Sequence, residues 1–207
     1  MPTITVSRQL GSLGDEVASE IADRLNYTVV SREVINHAAR RARVPEVALA
    51  TIDDLNLLGL RPSAEARRAY HQAVQEIMEE FATQGNAIII GRAGQVILSG
   101  FPNVLHVKVI APASLRAERV ARINFITIEA AQAQIEASDR TRRNYLRRYY
   151  HVRWDDPALY DLVVNTSRLE PANAACLVCQ ALSQCFQGTN QIQDAPKFPR
   201  NETKTIP

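Results

Sequence analysis

The amino-acid sequence predicts an α/β protein built on a mainly parallel, doubly wound sheet. Short apolar segments of strand length alternate with longer segments in which apolar residues recur every three or four positions. One short segment, residues 87–90, is apolar throughout, which is typical of a strand buried on both faces of a parallel sheet. Such sheets bind ligands at the carboxyl ends of their strands, so the residues that follow each strand are the first candidates for function.

A local feature of the sequence predicts each strand and each helix. The strands are the short apolar segments at residues 4–6, 27–30, 87–90, 104–110 and 160–165. The first helix has apolar residues at helical spacing between positions 17 and 25, and Ser31 is of a type that caps the start of the second. Residues 44–60 indicate only a weak helix or a loop. The remaining helices are predicted from residues 62–63 to Gly85, at 112–122, at 127–150 and at 171–186.

Length and composition predict one globular domain, residues 1–186, followed by a disordered tail, residues 187–207, that is polar and contains three prolines. The formal net charge of +2 gives no overall basic field, so any anion site must be local. No apolar run approaches the roughly 20 residues that cross a bilayer, and the first residues lack a signal pattern, so we expect a cytoplasmic protein without a membrane partner.

The turn after the first strand has the layout of a phosphate-binding loop. Residues 7–16 contain Gly11 and Gly14 and lead into a helix, whose first backbone N–H groups and positive dipole end favour an anion. A complete loop continues with lysine and then serine or threonine, whereas Asp15 and Glu16 follow here. Because the chain has only three lysines, we expect arginine to replace the missing cation. The alternative is a tight connection that binds nothing.

A second candidate is Arg92, which follows the buried strand at residues 87–90. A guanidinium at the end of a buried strand needs a partner, because removing a charge from water costs several kcal/mol. A phosphate is one such partner. The alternative is a structural ion pair with Asp15 or Glu16.

The third candidate is the arginine-rich end of the helix at 127–150. Arg140, Arg143 and Arg147 fall on one helical face, and a dense set of arginines in a nearly neutral chain favours a local polyanion. A phosphate lid is the leading interpretation, with a solvated or interface face and a nucleic-acid surface as alternatives. Cys176 and Cys179 have a metal-like spacing but no second ligand pair, so no metal site is predicted.

The order and spacing of several segments carry a family resemblance. They are the first strand with residues 7–16, then residues 31–35, residues 90–92, the arginine-rich helix, residues 154–157 and residues 160–167. Together they resemble the cytidylate kinase-like family of P-loop nucleoside monophosphate kinases over about residues 3–185.

The resemblance implies a P-loop NTPase-like fold, in which helices flank a five-stranded parallel sheet and an arginine-rich helical lid spans about residues 127–153. It also implies transfer of the γ-phosphoryl group of ATP to CMP, dCMP or a related monophosphate with Mg²⁺. The implied roles divide the candidates into three sets: Gly11, Ser12 and Gly14 cradle the ATP phosphates, Arg32 and Arg92 grip the monophosphate, and Arg140, Arg143 and Arg147 are the catalytic arginines of the lid.

Two departures from the family pattern leave alternatives open. Cytidylate kinases carry lysine where Gly14 stands and aspartate where Ala93 stands, and two carboxylates lie beside the expected phosphates. The leading hypothesis is therefore a nucleoside monophosphate kinase-like phosphotransferase. The alternatives are a noncatalytic nucleotide-binding regulatory module and, less favoured, an RNA-binding protein.

Overall fold

The computed structural model describes residues 1–31, 34, 36 and 64–186, without the side chains of residues 66 and 67. Arg32, the weak segment 44–60 and the predicted tail 187–207 lie outside the described residues. In the described part of the chain, no helix combines the length and the apolar character needed to span a membrane.

A five-stranded sheet forms the centre of the protein. Its strands are β1 (Thr3–Arg8), β2 (Thr28–Val30), β3 (Ala87–Ile90), β4 (Val104–Ile110) and β5 (Leu162–Asn165). They are all parallel and lie in the order β2-β3-β1-β4-β5. The prediction of a doubly wound parallel sheet is confirmed.

Six α-helices and one 3₁₀ turn occupy the described connections. They are α1 (Gly14–Leu25), α2 (Ala64–Gln84), α3 (Gly94–Ile97), α4 (Ala113–Asn124), α5 (Ile128–Tyr150), the 3₁₀ turn Pro157–Leu159 and α6 (Pro171–Phe186). The short α3 was not predicted. The last strand begins two residues later than predicted, because the backbone N–H of Tyr160 closes the 3₁₀ turn on the carbonyl of Pro157.

Both faces of the sheet are covered, as the apolar run at β3 predicted. On one face, Ile4 of β1 packs in a buried cluster with Ile21 of α1 and Val178 of α6. On the other, Ile89 of β3 shares a cluster with Tyr70 of α2. Burial of these apolar side chains fixes the helices against the sheet and leaves the carboxyl ends of the strands as the edge where loops meet.

A buried ion pair joins helices α4 and α5 to the first loop. Arg116 Nη2 lies 3.0 Å from Asp139 Oδ2, and the two side chains are only 6% and 9% exposed. The same guanidinium donates from Nε to the carbonyl of Ala111 and from Nη1 to the carbonyl of Leu10. One side chain therefore sets the position of the helical hairpin relative to the loop after β1.

We expect Arg116→Ala to lower the free energy of unfolding by about 3–5 kcal/mol, because Asp139 would stay buried without its charge partner. Denaturant unfolding followed by circular dichroism measures the change. The control is Arg122→Ala, an exposed arginine in the last turn of the same helix, for which we expect a change within about 0.5 kcal/mol. Equal losses in the two variants would show that the ion pair has no special structural role.

Candidate functional site

The loop after β1 has a backbone conformation at position 11 that favours glycine. Gly11 has φ +78°, and a Cβ placed on it would lie 2.8 Å from the carbonyl oxygen of Arg116. The hydroxyl of Ser12 donates to the carbonyls of Gln9 (2.8 Å) and Val109 (3.1 Å). In this structure the Ser12 side chain therefore holds the loop in shape. Helix α1 starts at Gly14 without a side-chain cap, so backbone N–H groups of its first turn have no acceptor within the helix.

The turn after β3 is left-handed at three successive residues. Gly91, Arg92 and Ala93 have φ values of 75°, 52° and 59°, a region that residues with a Cβ seldom occupy. The turn brings Arg92 to the carboxyl edge of the sheet, where its Nη2 donates to Asn36 Oδ1 over 3.1 Å. Its guanidinium also lies 5.9 Å from the centre of the Tyr70 ring.

The carboxyl end of β1, the turn after β3 and helix α5 line a cavity of about 540 Å³, whereas residues 9–14 of the first loop, with the predicted phosphate-binding Gly11, Ser12 and Gly14, do not line it. Three arginines line it, one from each element: Arg8 at the end of β1, Arg92 after β3 and Arg142 on α5. Asp15 is the one acidic residue among the described lining residues. It forms an ion pair with Arg8, whose Nε lies 3.0 Å from Asp15 Oδ1. Among the described lining residues three arginines therefore face one carboxylate, a set of donors that suits an anion with several oxygens.

The structure brings a different arginine of α5 to the cavity from those singled out in the sequence. Arg140, Arg143 and Arg147 are exposed and do not line it, whereas Arg142 does and lies 6.0 Å from the centre of the Trp154 ring.

A periodic signal could have identified Arg142. The buried residues Ile135, Asp139 and Leu146 mark the inner face of α5, and position 142 falls three residues after 139 and four before 146. Arg142 is therefore on the stripe that faces the rest of the protein, where it also donates to the hydroxyl of Ser138.

Trp154 forms one wall of the cavity and is only 2% exposed. Its Nε1 donates to the Ser7 hydroxyl over 3.0 Å. Its carbonyl accepts hydrogen bonds from Lys108 Nζ (2.7 Å) and from the Tyr160 hydroxyl (2.9 Å). Trp154, Ser7 and Tyr160 belong to the segments that carried the family resemblance, but sequence reasoning gave Lys108 no role, although a lysine that interrupts an apolar strand was a visible signal. The network holds the wall in place from the sheet below it.

Burial changes the protonation equilibria of this network. The pKa of Lys108, which is 5% exposed, is lowered by desolvation, and the nearby Asp155 carboxylate opposes this shift. Desolvation likewise raises the pKa of Tyr160 to about 12, so its hydroxyl remains a donor at neutral pH. The hydrogen bond from Tyr160 to the wall is therefore kept at neutral pH.

Of the other predicted site residues, Arg32 lies outside the described residues, while its neighbour Ser31 lines the cavity. The sequence offered an ion pair of Arg92 with Asp15 or Glu16 as the alternative to phosphate binding. In the structure, Asp15 forms an ion pair with Arg8 instead. Within the described residues, no group of three or more His, Cys, Asp or Glu side chains could hold a metal ion.

The strand order, the glycine-containing loop between β1 and α1, and the cavity at the carboxyl edge define a kinase-type P-loop fold. Solved structures with this fold match most of the chain. A protein from Eubacterium ventriosum described as uncharacterized has a TM-score of 0.70 and 19% identity, covering 88% of this chain and 99% of its own. Shikimate kinase from Acinetobacter baumannii in complex with shikimate has a TM-score of 0.51 and 11% identity, covering 93% and 96%.

The chain belongs to the cytidylate kinase-like family, whose sequence model matches residues 3–168. The resemblance inferred from the motifs is thereby confirmed. Cytidylate kinase from Pyrococcus horikoshii is 31% identical over 181 residues, which are 86% of this chain and 87% of the relative. Cytidylate kinase from Halobacterium salinarum is 28% identical over 179 residues, which are 86% and 88% of the two chains.

The only tryptophan of the chain, Trp154, lies beside the positive lining, so its emission should report an anion in the cavity. We expect inorganic tripolyphosphate to cause a saturable change in tryptophan fluorescence, because the anion alters the field around Arg142 and the indole. Sodium chloride at matched ionic strength is the control. A response that never saturates and equals that of the chloride would contradict an anion site.

Proposed function

We propose that this protein is a nucleoside monophosphate kinase that transfers the γ-phosphoryl group of ATP to CMP or dCMP. The observation that carries the proposal is the cavity between the carboxyl end of β1 and α5, to which three separate elements each contribute an arginine. Membership in the cytidylate kinase-like family and the cytidylate kinase relatives support the choice of a pyrimidine monophosphate as acceptor. We also propose a cytoplasmic location, where ATP and nucleoside monophosphates are available.

In this proposal the ATP phosphates lie against Gly11, Ser12 and Gly14 at the start of α1, where backbone N–H groups and the helix dipole attract them. The acceptor phosphate lies against Arg92, with Arg32 as its second partner. The three loop residues do not line the cavity, so in this proposal the terminal phosphate of ATP extends past Arg8 and Asp15, which do, toward the acceptor phosphate.

Arg142 is the arginine of α5 that we assign to the transferring phosphoryl group. Phosphoryl transfer needs alignment of the two substrates and cations on the spreading negative charge, and it needs little covalent chemistry from the protein. Arg140, Arg143 and Arg147 remain part of the proposed lid, where their exposed positions provide a positive field that attracts nucleotides.

Mg²⁺ fits the donor set only as an ion shared with the nucleotide. Mg²⁺ binds hard oxygen ligands and commonly takes one or two carboxylates together with substrate phosphates. Asp15 offers such a carboxylate at the first turn of α1 and is 64% exposed at its side chain. When bound, the ion would neutralise part of the charge on the phosphates.

A noncatalytic nucleotide-binding module is the second candidate, and the Arg8–Asp15 ion pair favours it. A carboxylate at the loop repels phosphate unless a cation or metal ion offsets it. A kinase converts ATP and a monophosphate to products, whereas a noncatalytic module binds nucleotides and releases no ADP. Calorimetric titration with Mg²⁺–ATP and with each monophosphate, followed by an assay of ADP release, separates a kinase from a module that binds without reaction.

We expect Arg142→Ala to lower kcat/KM for CMP by about a hundredfold or more, because it removes a cation from the developing charge. The matched control is Arg148→Ala, which removes an exposed arginine of the same helix that has no assigned role in the proposed site. There we expect a change of about twofold. The opposite ranking would assign catalysis to the exposed arginines and remove Arg142 from the reaction.

A further inference from the structure

We infer that Arg8 is the phosphate-binding cation of the first loop, in place of the lysine that a complete loop carries, and that Asp15 holds its guanidinium until a phosphate displaces it. This inference rests on the proposed function, since it assigns a residue to the ATP side of that site. It explains how a loop without lysine can still bind a polyphosphate.

The path of the Arg8 side chain explains why position 14 is glycine. A Cβ built on Gly14 would lie 2.4 Å from Arg8 Cβ and 2.8 Å from Arg8 Cγ. These distances are far below normal carbon contacts, so the stem of Arg8 occupies the space that a side chain at position 14 would need. Because the nearest of these atoms is Arg8 Cβ, whose position the backbone sets, this loop has no room for a lysine at position 14 together with an arginine at position 8.

The guanidinium of Arg8 also lies close to the turn after β3. A Cβ on Gly91 would lie 2.8 Å from Arg8 Nη1, and Gly91 has φ +75°. The side chain thus passes between two glycines on two different elements and reaches the cavity, which it lines together with Arg92 and Arg142. Two positions without side chains make room for this single cation.

The ion pair with Asp15 is suited to exchange. Arg8 and Asp15 side chains are 25% and 64% exposed, and their contact joins Nε to one carboxylate oxygen over 3.0 Å. Exposed pairs of this kind contribute little to stability. A polyphosphate offers more charge and more acceptor oxygens, and a guanidinium can bind phosphate through two parallel N–H groups. The phosphate therefore competes well for Arg8.

The inference is tested by substituting Arg8 and Gly14, first separately and then together. We expect Arg8→Ala to raise the Kd for Mg²⁺–ATP and for tripolyphosphate by about tenfold to a hundredfold, the range for a hydrogen bond to a charged group. Gly14→Lys alone should also weaken both, because a Cβ at position 14 lies 2.4 Å from Arg8 Cβ and forces residue 8 to shift. In the double variant Arg8→Gly/Gly14→Lys, which removes both the Cβ and the Cγ of residue 8, the vacated space admits the lysine, and we expect at least half of the logarithmic loss to be recovered.

Two controls accompany the titrations. Arg24→Ala removes an exposed arginine from the other end of α1 and should leave both Kd values within about twofold. The Kd for CMP, whose proposed phosphate partner is Arg92, should change little in Arg8→Ala. Thermal melting shows that each variant is folded, and if Gly14→Lys fails to fold, Arg8→Ala on its own decides the question.

Unchanged binding of ATP and tripolyphosphate in Arg8→Ala would overturn the inference, as would a double variant that binds more weakly than both single variants. Failure of the unaltered protein to bind tripolyphosphate would overturn it as well. Failure of the proposed function has a different signature: the unaltered protein binds ATP through Arg8 but releases no ADP with any monophosphate.

Discussion

The central position of β1 is the constraint on which the site depends. This strand pairs in parallel with β3 on one side and with β4 on the other, with Val6 opposite Ile90 and Ser7 opposite Lys108. Parallel pairing puts the carboxyl ends of all three strands at the same edge. The turn with Arg92 and the wall held by Lys108 therefore meet at the end of the strand that carries Arg8. The backbone hydrogen bonds between these strands thus bring together charged residues that are far apart in the sequence.

The positive charge of the cavity comes from arginines on separate elements instead of a lysine in the loop. An arginine keeps its charge when it is partly buried, whereas a lysine loses its proton more readily, as the lowered pKa of Lys108 shows. The lysine on β4 is accordingly used for structure, since it holds the carbonyl of Trp154.

The fold could be predicted because its signals are local. An apolar run at residues 87–90 and the repeat in residues 171–186 each depend on neighbours in the sequence, and the structure places β3 and α6 at those bounds. The site depends on contacts between distant residues. The inner face of α5 is set by Asp139, whose partner Arg116 is on another helix, and periodicity among arginines alone could not show it. Likewise, the reason for glycine at position 14 is visible only when the path of Arg8 is known.

Burial of Lys108 has a practical consequence for chemical work on this protein. The other two lysines of the chain are at positions 197 and 204, outside the described residues, so the described part of the chain has no exposed lysine amine. Reagents that acylate amines would therefore find no exposed lysine beside the cavity within that part. A cross-link map based on lysine would contain almost no information about the described residues.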